Sequence, residues 1–253
     1  MKELKYLVVG TGRCGTVFAA RVLTSLGINC GHECCFDWRG IDYAKAKLMG
    51  AIPIHTSETS MYQYQNGEHH PIARWLNEDE IVAESSYMAA PFIRDQCFQN
   101  TKFIHVVRNP VHVVNSFIKY LAYFQQRHPA VWQPAKKYET FIYSHCDELY
   151  LDMSQEERAA LYVVRWNQMI ERNLEGKDFL FHRSEDDLRP LIDFVGGDPE
   201  IRVFNDRKIN SLEKRVPRFT LDSLPNGNIK EEFIALGKKY GYLMSQESEM
   251  FLT

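Results

Sequence analysis

Apolar residues along the chain form two kinds of run, short and nearly continuous or spaced at helical intervals, and the two kinds alternate. The short runs at Leu4–Val9, Glu80–Glu84, Lys102–Val107 and Asp178–His182 read as buried strands, each near a segment of helical period. From about Gly15 to Leu26, Ala19, Val22, Leu23 and Leu26 share one face, and the pattern stops at Gly27, which takes a left-handed cap readily. A longer helix is predicted from Ser154 to about Glu175. Ser154 and Glu157 form a capping-box pattern there, and Val163, Trp166, Ile170 and Leu174 line a stripe. A final helix is expected around Ile229 to Tyr240, beyond the turn residues Pro225-Asn226-Gly227. Strand and helix in alternation predict an α/β fold: a single domain over residues 1–253, with a central, mostly parallel sheet flanked by helices. Two aromatic, polar stretches near 38–77 and 120–153 show no regular pattern and are expected to be insertions. Such loops either recognise a substrate at the carboxyl ends of the strands or simply pack.

Composition narrows the classes. A chain of 253 residues with 45% hydrophobic content buries a substantial core. Its net charge of −3 argues against a general nucleic-acid binder, which needs a basic surface to displace counterions from phosphates. The sequence has no apolar run of membrane-spanning length and no signal peptide, so no membrane span and a soluble, cytoplasmic protein are expected. Six cysteines without paired C-x-x-C spacing are expected to be mostly reduced core thiols. Cys30, Cys34 and Cys35 with His32 lack a second half for a zinc site, and no metal is expected.

The strand ending at Val9 runs through Gly10-Thr11-Gly12-Arg13-Cys14-Gly15-Thr16 into the first helix. Glycines let the backbone turn tightly and aim its N–H groups inward, and the helix opening near Gly15 adds the positive end of its dipole, so the loop reads as a phosphate cradle. A nucleoside triphosphatase loop would carry Lys after the last glycine; here Thr16 follows Gly15 directly and the nearby cation is Arg13. A second strand, Phe103 to Val107, delivers Arg108 at its carboxyl end and continues through Asn109-Pro110 into a helix, with Ser116 eight residues after Arg108.

Together these two strand-to-helix junctions resemble the cofactor motifs of the sulfotransferases that use 3′-phosphoadenosine 5′-phosphosulfate (PAPS) and release 3′-phosphoadenosine 5′-phosphate (PAP). The resemblance implies a P-loop NTPase-like sulfotransferase fold. It assigns Gly12, Arg13, Cys14, Gly15 and Thr16 to the 5′-phosphosulfate, and Arg108 and Ser116 to the 3′-phosphate. Arg13 matches the family's phosphosulfate-binding Lys; because a guanidinium does not readily give up a proton, its task is charge stabilisation. Cys14 stands where many members have Ser, and lacks the following Arg of a cysteine phosphatase loop. Lys214 and Arg215 faintly resemble a late basic loop that closes over the 3′-phosphate, with a solvated charge run as the alternative.

For the acceptor's proton, Glu33 in Cys30-Gly31-His32-Glu33-Cys34-Cys35 resembles the segment that supplies the base in heparan-type sulfotransferases. His32 is the second candidate and His55 an outside one. Glu84-Ser85-Ser86-Tyr87 resembles a segment facing the acceptor, with helix capping by either serine as the alternative. Tyr162 and Trp166 offer rings for the adenine or, equally in keeping with helical spacing, for the core. A small-molecule or carbohydrate acceptor is implied, its identity and the oligomeric state being undetermined. Two competing readings remain: a small-molecule kinase with a degenerate phosphate loop, and a non-catalytic nucleotide-binding protein.

Overall fold

The run Leu7-Val8-Val9 is apolar on every side chain, which suits a strand covered on both faces, and it occupies the middle of the sheet. The computed structural model describes residues 2–54, 81–118, 137–146, 148–149, 153–198 and 219–244. Its strands are β1 (Tyr6–Val9), β2 (Cys30–His32), β3 (Ala83–Ser85), β4 (Lys102–Val107) and β5 (Phe179–Arg183). They form one five-stranded sheet in the order β2-β3-β1-β4-β5. Every pairing is parallel, so the expected mostly parallel sheet is, among the described residues, parallel throughout. The helices are α1 (Thr16–Ser25), α2 (Ile41–Leu48), α3 (Pro110–Ser116), α4 (Lys137–His145), α5 (Gln155–Leu174), α6 (Arg189–Val195) and α7 (Asn228–Lys239).

The three helices predicted from periodicity form within a residue or two of their expected ends. Ser154 caps α5 by accepting the Glu157 N–H at 3.1 Å, and the Glu157 carboxylate accepts the Ser154 N–H at 2.9 Å. Gly27, just past α1, has φ 80°, the left-handed conformation anticipated there. The strand expected at Glu80–Glu84 forms at Ala83–Ser85, and β2 has no counterpart among the predicted strands. Three residues, Cys-Gly-His, all fully buried, carry no alternation of apolar and polar positions to reveal a strand.

The topology positions the site. From β1 the chain goes to β2 and β3 on one side and then crosses to β4 on the other. Adjacent connections therefore diverge at the carboxyl ends of β1 and β4, where parallel α/β sheets open a crevice. The loop from Gly10 to Gly15 and Arg108 flank that point, since Val9 pairs with His105 two residues before the end of β4.

Candidate functional site

The loop after β1 is shaped by close contact beneath and by backbone conformations above. A Cβ at Gly10 would collide with the Val106 carbonyl oxygen and the Cys14 sulfur, so only glycine lets β1 run this close to β4. Gly15 caps α1 with φ 113°, and Arg13 has φ 70°, an uncommon left-handed conformation for a residue with a side chain. From there the Arg13 Nε donates to the Ser116 hydroxyl at 2.8 Å. This bond joins the two junctions singled out in the sequence, the glycine loop and the last residue of α3.

Thr16, the first residue of α1, is held from two further strand ends. The Ser85 hydroxyl donates to its carbonyl at 2.7 Å, and His32 Nε2 lies 3.2 Å from its hydroxyl. His32 is fully buried, and the loss of solvation, with Arg21 and Arg13 adding to it, pushes its pKa down to about 3. It is a neutral imidazole at physiological pH. That suits a partner that orients the Thr16 hydroxyl. Cys14 points under the loop and is buried; loss of solvation pushes its thiol up to about 12, so no thiolate is available as a nucleophile.

Glu33 follows β2 at the same edge of the sheet. It adopts φ 53° and donates its N–H to the Ser85 carbonyl at 3.2 Å. Its side chain keeps partial exposure, yet the low-dielectric surroundings push its carboxyl up to about 8. Glu84 and Asp37 add to the rise, while the Arg13 charge opposes it. A carboxyl whose pKa lies close to neutrality, coupled to a cation in the glycine loop, has the proton affinity that general-base chemistry requires.

Arg108 stands half exposed just beyond β4, its Nε 3.9 Å from Glu185. Glu185 is itself engaged by the Asn109 N–H at 3.4 Å and the Tyr242 hydroxyl at 2.7 Å. The Arg108–Glu185 pair is long and open to solvent, so it is weak and an incoming phosphate competes with it readily. Arg13, Arg108 and the start of α1 give this edge the donor chemistry of an anion site.

Other expected contributors lie elsewhere. Glu84, Ser85 and Ser86 are all fully buried, so the segment expected to face the acceptor supports the site from below. Ser86 takes the capping role instead, accepting the Met88 N–H at 3.2 Å. Tyr162 and Trp166 are likewise fully buried in α5 and unavailable to an adenine ring. The Tyr162 hydroxyl accepts the Gly12 N–H at 3.2 Å, a link to the glycine loop that sequence reasoning missed. Its ring meets Phe117 edge-on at 5.1 Å, next to Ser116. Nothing in helical spacing distinguishes a tyrosine whose hydroxyl reaches a distant loop from one that only fills the core. His55, Lys214, Arg215 and most of the two stretches expected as insertions lie outside the described residues.

Among the described residues, no group of three His, Cys, Asp or Glu side chains is placed to hold a metal ion, and no helix is long and apolar enough to cross a membrane. The family described as sulfotransferase domain matches residues 5–202, from the start of β1 past the end of α6. No curated protein matches the chain.

Proposed function

The chain belongs to the sulfotransferase family, and from that premise we propose that it moves a sulfuryl group from PAPS to a hydroxyl or amine of a small-molecule or carbohydrate acceptor. The observation that carries this reading is the position of Arg13. Its guanidinium is bonded to Ser116 on one side and electrostatically coupled to Glu33 on the other. One cation thus links both expected phosphate grips with the expected base.

The donor supplies an activated sulfuryl group bonded through oxygen to a phosphate that leaves as PAP. In this reading the loop N–H groups and Thr16 hold the 5′-phosphate, with His32 orienting the Thr16 hydroxyl. Arg108 and Ser116 hold the 3′-phosphate. Glu33 accepts the proton of the acceptor hydroxyl as its oxygen bonds to sulfur, and Arg13 stabilises the negative charge that gathers on the bridging oxygen as the S–O bond breaks. Nothing in this sequence of events calls on a metal ion. Glu33 with a pKa near 8 is mostly protonated at neutral pH, so kcat/KM rises with pH through about 8.

Calorimetric titration with PAP, without metal and beside ATP with magnesium, on the wild type and Arg108→Ala tests the reading. Tight metal-free binding of PAP that is lost in the variant is the expected result. Binding of ATP with magnesium instead overturns it, and PAP binding without transfer from labelled PAPS to any of a broad acceptor panel favours a nucleotide-binding protein that does not catalyse.

A further inference from the structure

The proposed chemistry gives no task to the most deeply buried carboxyl among the described residues. Glu84, in β3, is fully enclosed. Its Oε1 accepts the N–H of Cys35 at 2.9 Å and that of Phe36 at 3.4 Å. Its Oε2 has no hydrogen-bond partner among the described residues and lies against Gly31, where any Cβ would strike it. Enclosing an acid in this way is costly unless its bonds return the loss. Burial pushes the Glu84 carboxyl up to about 7, against the pull of the Cys35 and Phe36 amides, of Lys47 and of the Cys34 amide.

What those bonds hold is the turn that begins at Glu33. With φ 53°, Glu33 occupies a left-handed conformation that is unfavourable for a residue with a Cβ, so the turn needs fastening. Two adjacent residues of β3 fasten it. Ser85 takes the Glu33 N–H from one side, and Glu84 takes the N–H groups of Cys35 and Phe36 from the other. Lys47 of α2 reaches the Cys34 carbonyl between them at 2.7 Å, and the Phe36 ring is anchored against Phe98 at 5.7 Å.

We propose that Glu84 is a positioning residue: its carboxyl clamps the backbone of Cys35 and Phe36 and so fixes where the Glu33 side chain stands relative to Arg13. The catalytic consequence rests on the reading of Glu33 as the base. The charges facing Glu33 are Glu84 from β3, Arg13 from the phosphate loop and Asp37 from its own turn. Lys47 of α2 faces Glu84, and the thiols of Cys30 and Cys35 border it.

The test compares wild type, Glu84→Gln, Glu84→Ala and Glu33→Gln by amide hydrogen exchange at Cys35 and Phe36, carbon-13 titration of the Glu33 carboxyl, and sulfuryl transfer from PAPS. Circular dichroism reports folding. A glutamine oxygen still accepts the two amides, so Glu84→Gln keeps their protection, while the loss of a neighbouring negative charge shifts the Glu33 titration to lower pH. In Glu84→Ala the two amides exchange roughly tenfold faster or more, as expected for a lost charged hydrogen bond, and transfer falls. Unchanged protection in a folded Glu84→Ala overturns the proposal. If that variant does not fold, exchange of the Cys35 and Phe36 amides in the wild type at the rate of unprotected amides overturns it instead. Full transfer by Glu33→Gln would sink the base reading alone, because exchange and titration judge the clamp without reference to turnover.

Discussion

Replacing Arg13 tests the centre of the site, because the loss of its bond to Ser116 and the loss of its field at Glu33 are measurable separately. Arg13→Ala removes the Nε bond to Ser116 and the positive charge beside the expected phosphate position. A charge-assisted hydrogen bond contributes about 1.5–3 kcal/mol, so PAP binding should weaken roughly ten- to a hundredfold. The same change removes the charge that holds the Glu33 carboxyl down, so the Glu33 titration should move above about 8. Arg13→Lys keeps a charge and loses the planar fork, and should fall between wild type and alanine on both measures. The backbone supplies an internal control. At φ 70° a Cβ costs about 1 kcal/mol relative to glycine, so Arg13→Gly should be more stable to urea than Arg13→Ala while binding PAP equally poorly. Isothermal titration with PAP and carbon-13 titration of the glutamate carboxyls read the two effects. PAP affinity within twofold of wild type, with the Glu33 midpoint unmoved, would refute this role for Arg13.

Three further outcomes follow from particular contacts. Tyr162→Phe leaves the Gly12 N–H without its buried acceptor, and should cost about 1–3 kcal/mol of stability in urea denaturation and weaken PAP binding, although residue 162 is fully buried; stability and affinity equal to wild type would show that the bond does not matter. Gly10→Ala sets a Cβ against the Val106 carbonyl, a backbone atom that cannot swing aside, and should abolish PAP binding or prevent folding, read by calorimetry and circular dichroism. The folded-state pKa of Glu33, about 8, and that of Glu84, about 7, lie above the ordinary carboxylate value, so their contribution to stability is full at low pH and is lost as pH rises through those values. Thermal denaturation between pH 5 and 8 should therefore show a decline that Glu33→Gln flattens, by an amount on the order of a few kcal/mol; an equal slope in the variant would contradict the raised carboxyl.

Much of the fold was legible because it depends on local repetition. The stripe of α5, its capping box and the glycine after α1 each express a rule that operates within a few residues, and each appears where the rule places it. The glycine loop after β1 and the junction from Arg108 to Ser116 were readable as strand-to-helix turns for the same reason: a strand, a turn and a helix N-terminus are adjacent in sequence before they are adjacent in space. The failures share a different cause. β2 is three residues long and its pairing with β3 joins positions more than fifty apart, so no local signal marks it. Without β2, the glutamate following it has no assigned height along the sheet, and the contacts of Glu84, Ser85 and His32 around it cannot be foreseen.

The sequence by itself determined the class of fold, the two strand-to-helix junctions and the residue types able to meet an anion, because backbone geometry and side-chain chemistry there are set by near neighbours. Only the tertiary structure decided protonation and support. His32 and Glu33 are consecutive in sequence, yet one is enclosed and neutral against Thr16 while the other meets the field of Arg13 and Glu84 with its carboxyl tuned close to neutrality. Solvation and electrostatic coupling depend on what surrounds a group in three dimensions, and those surroundings come from strands and helices distant along the chain.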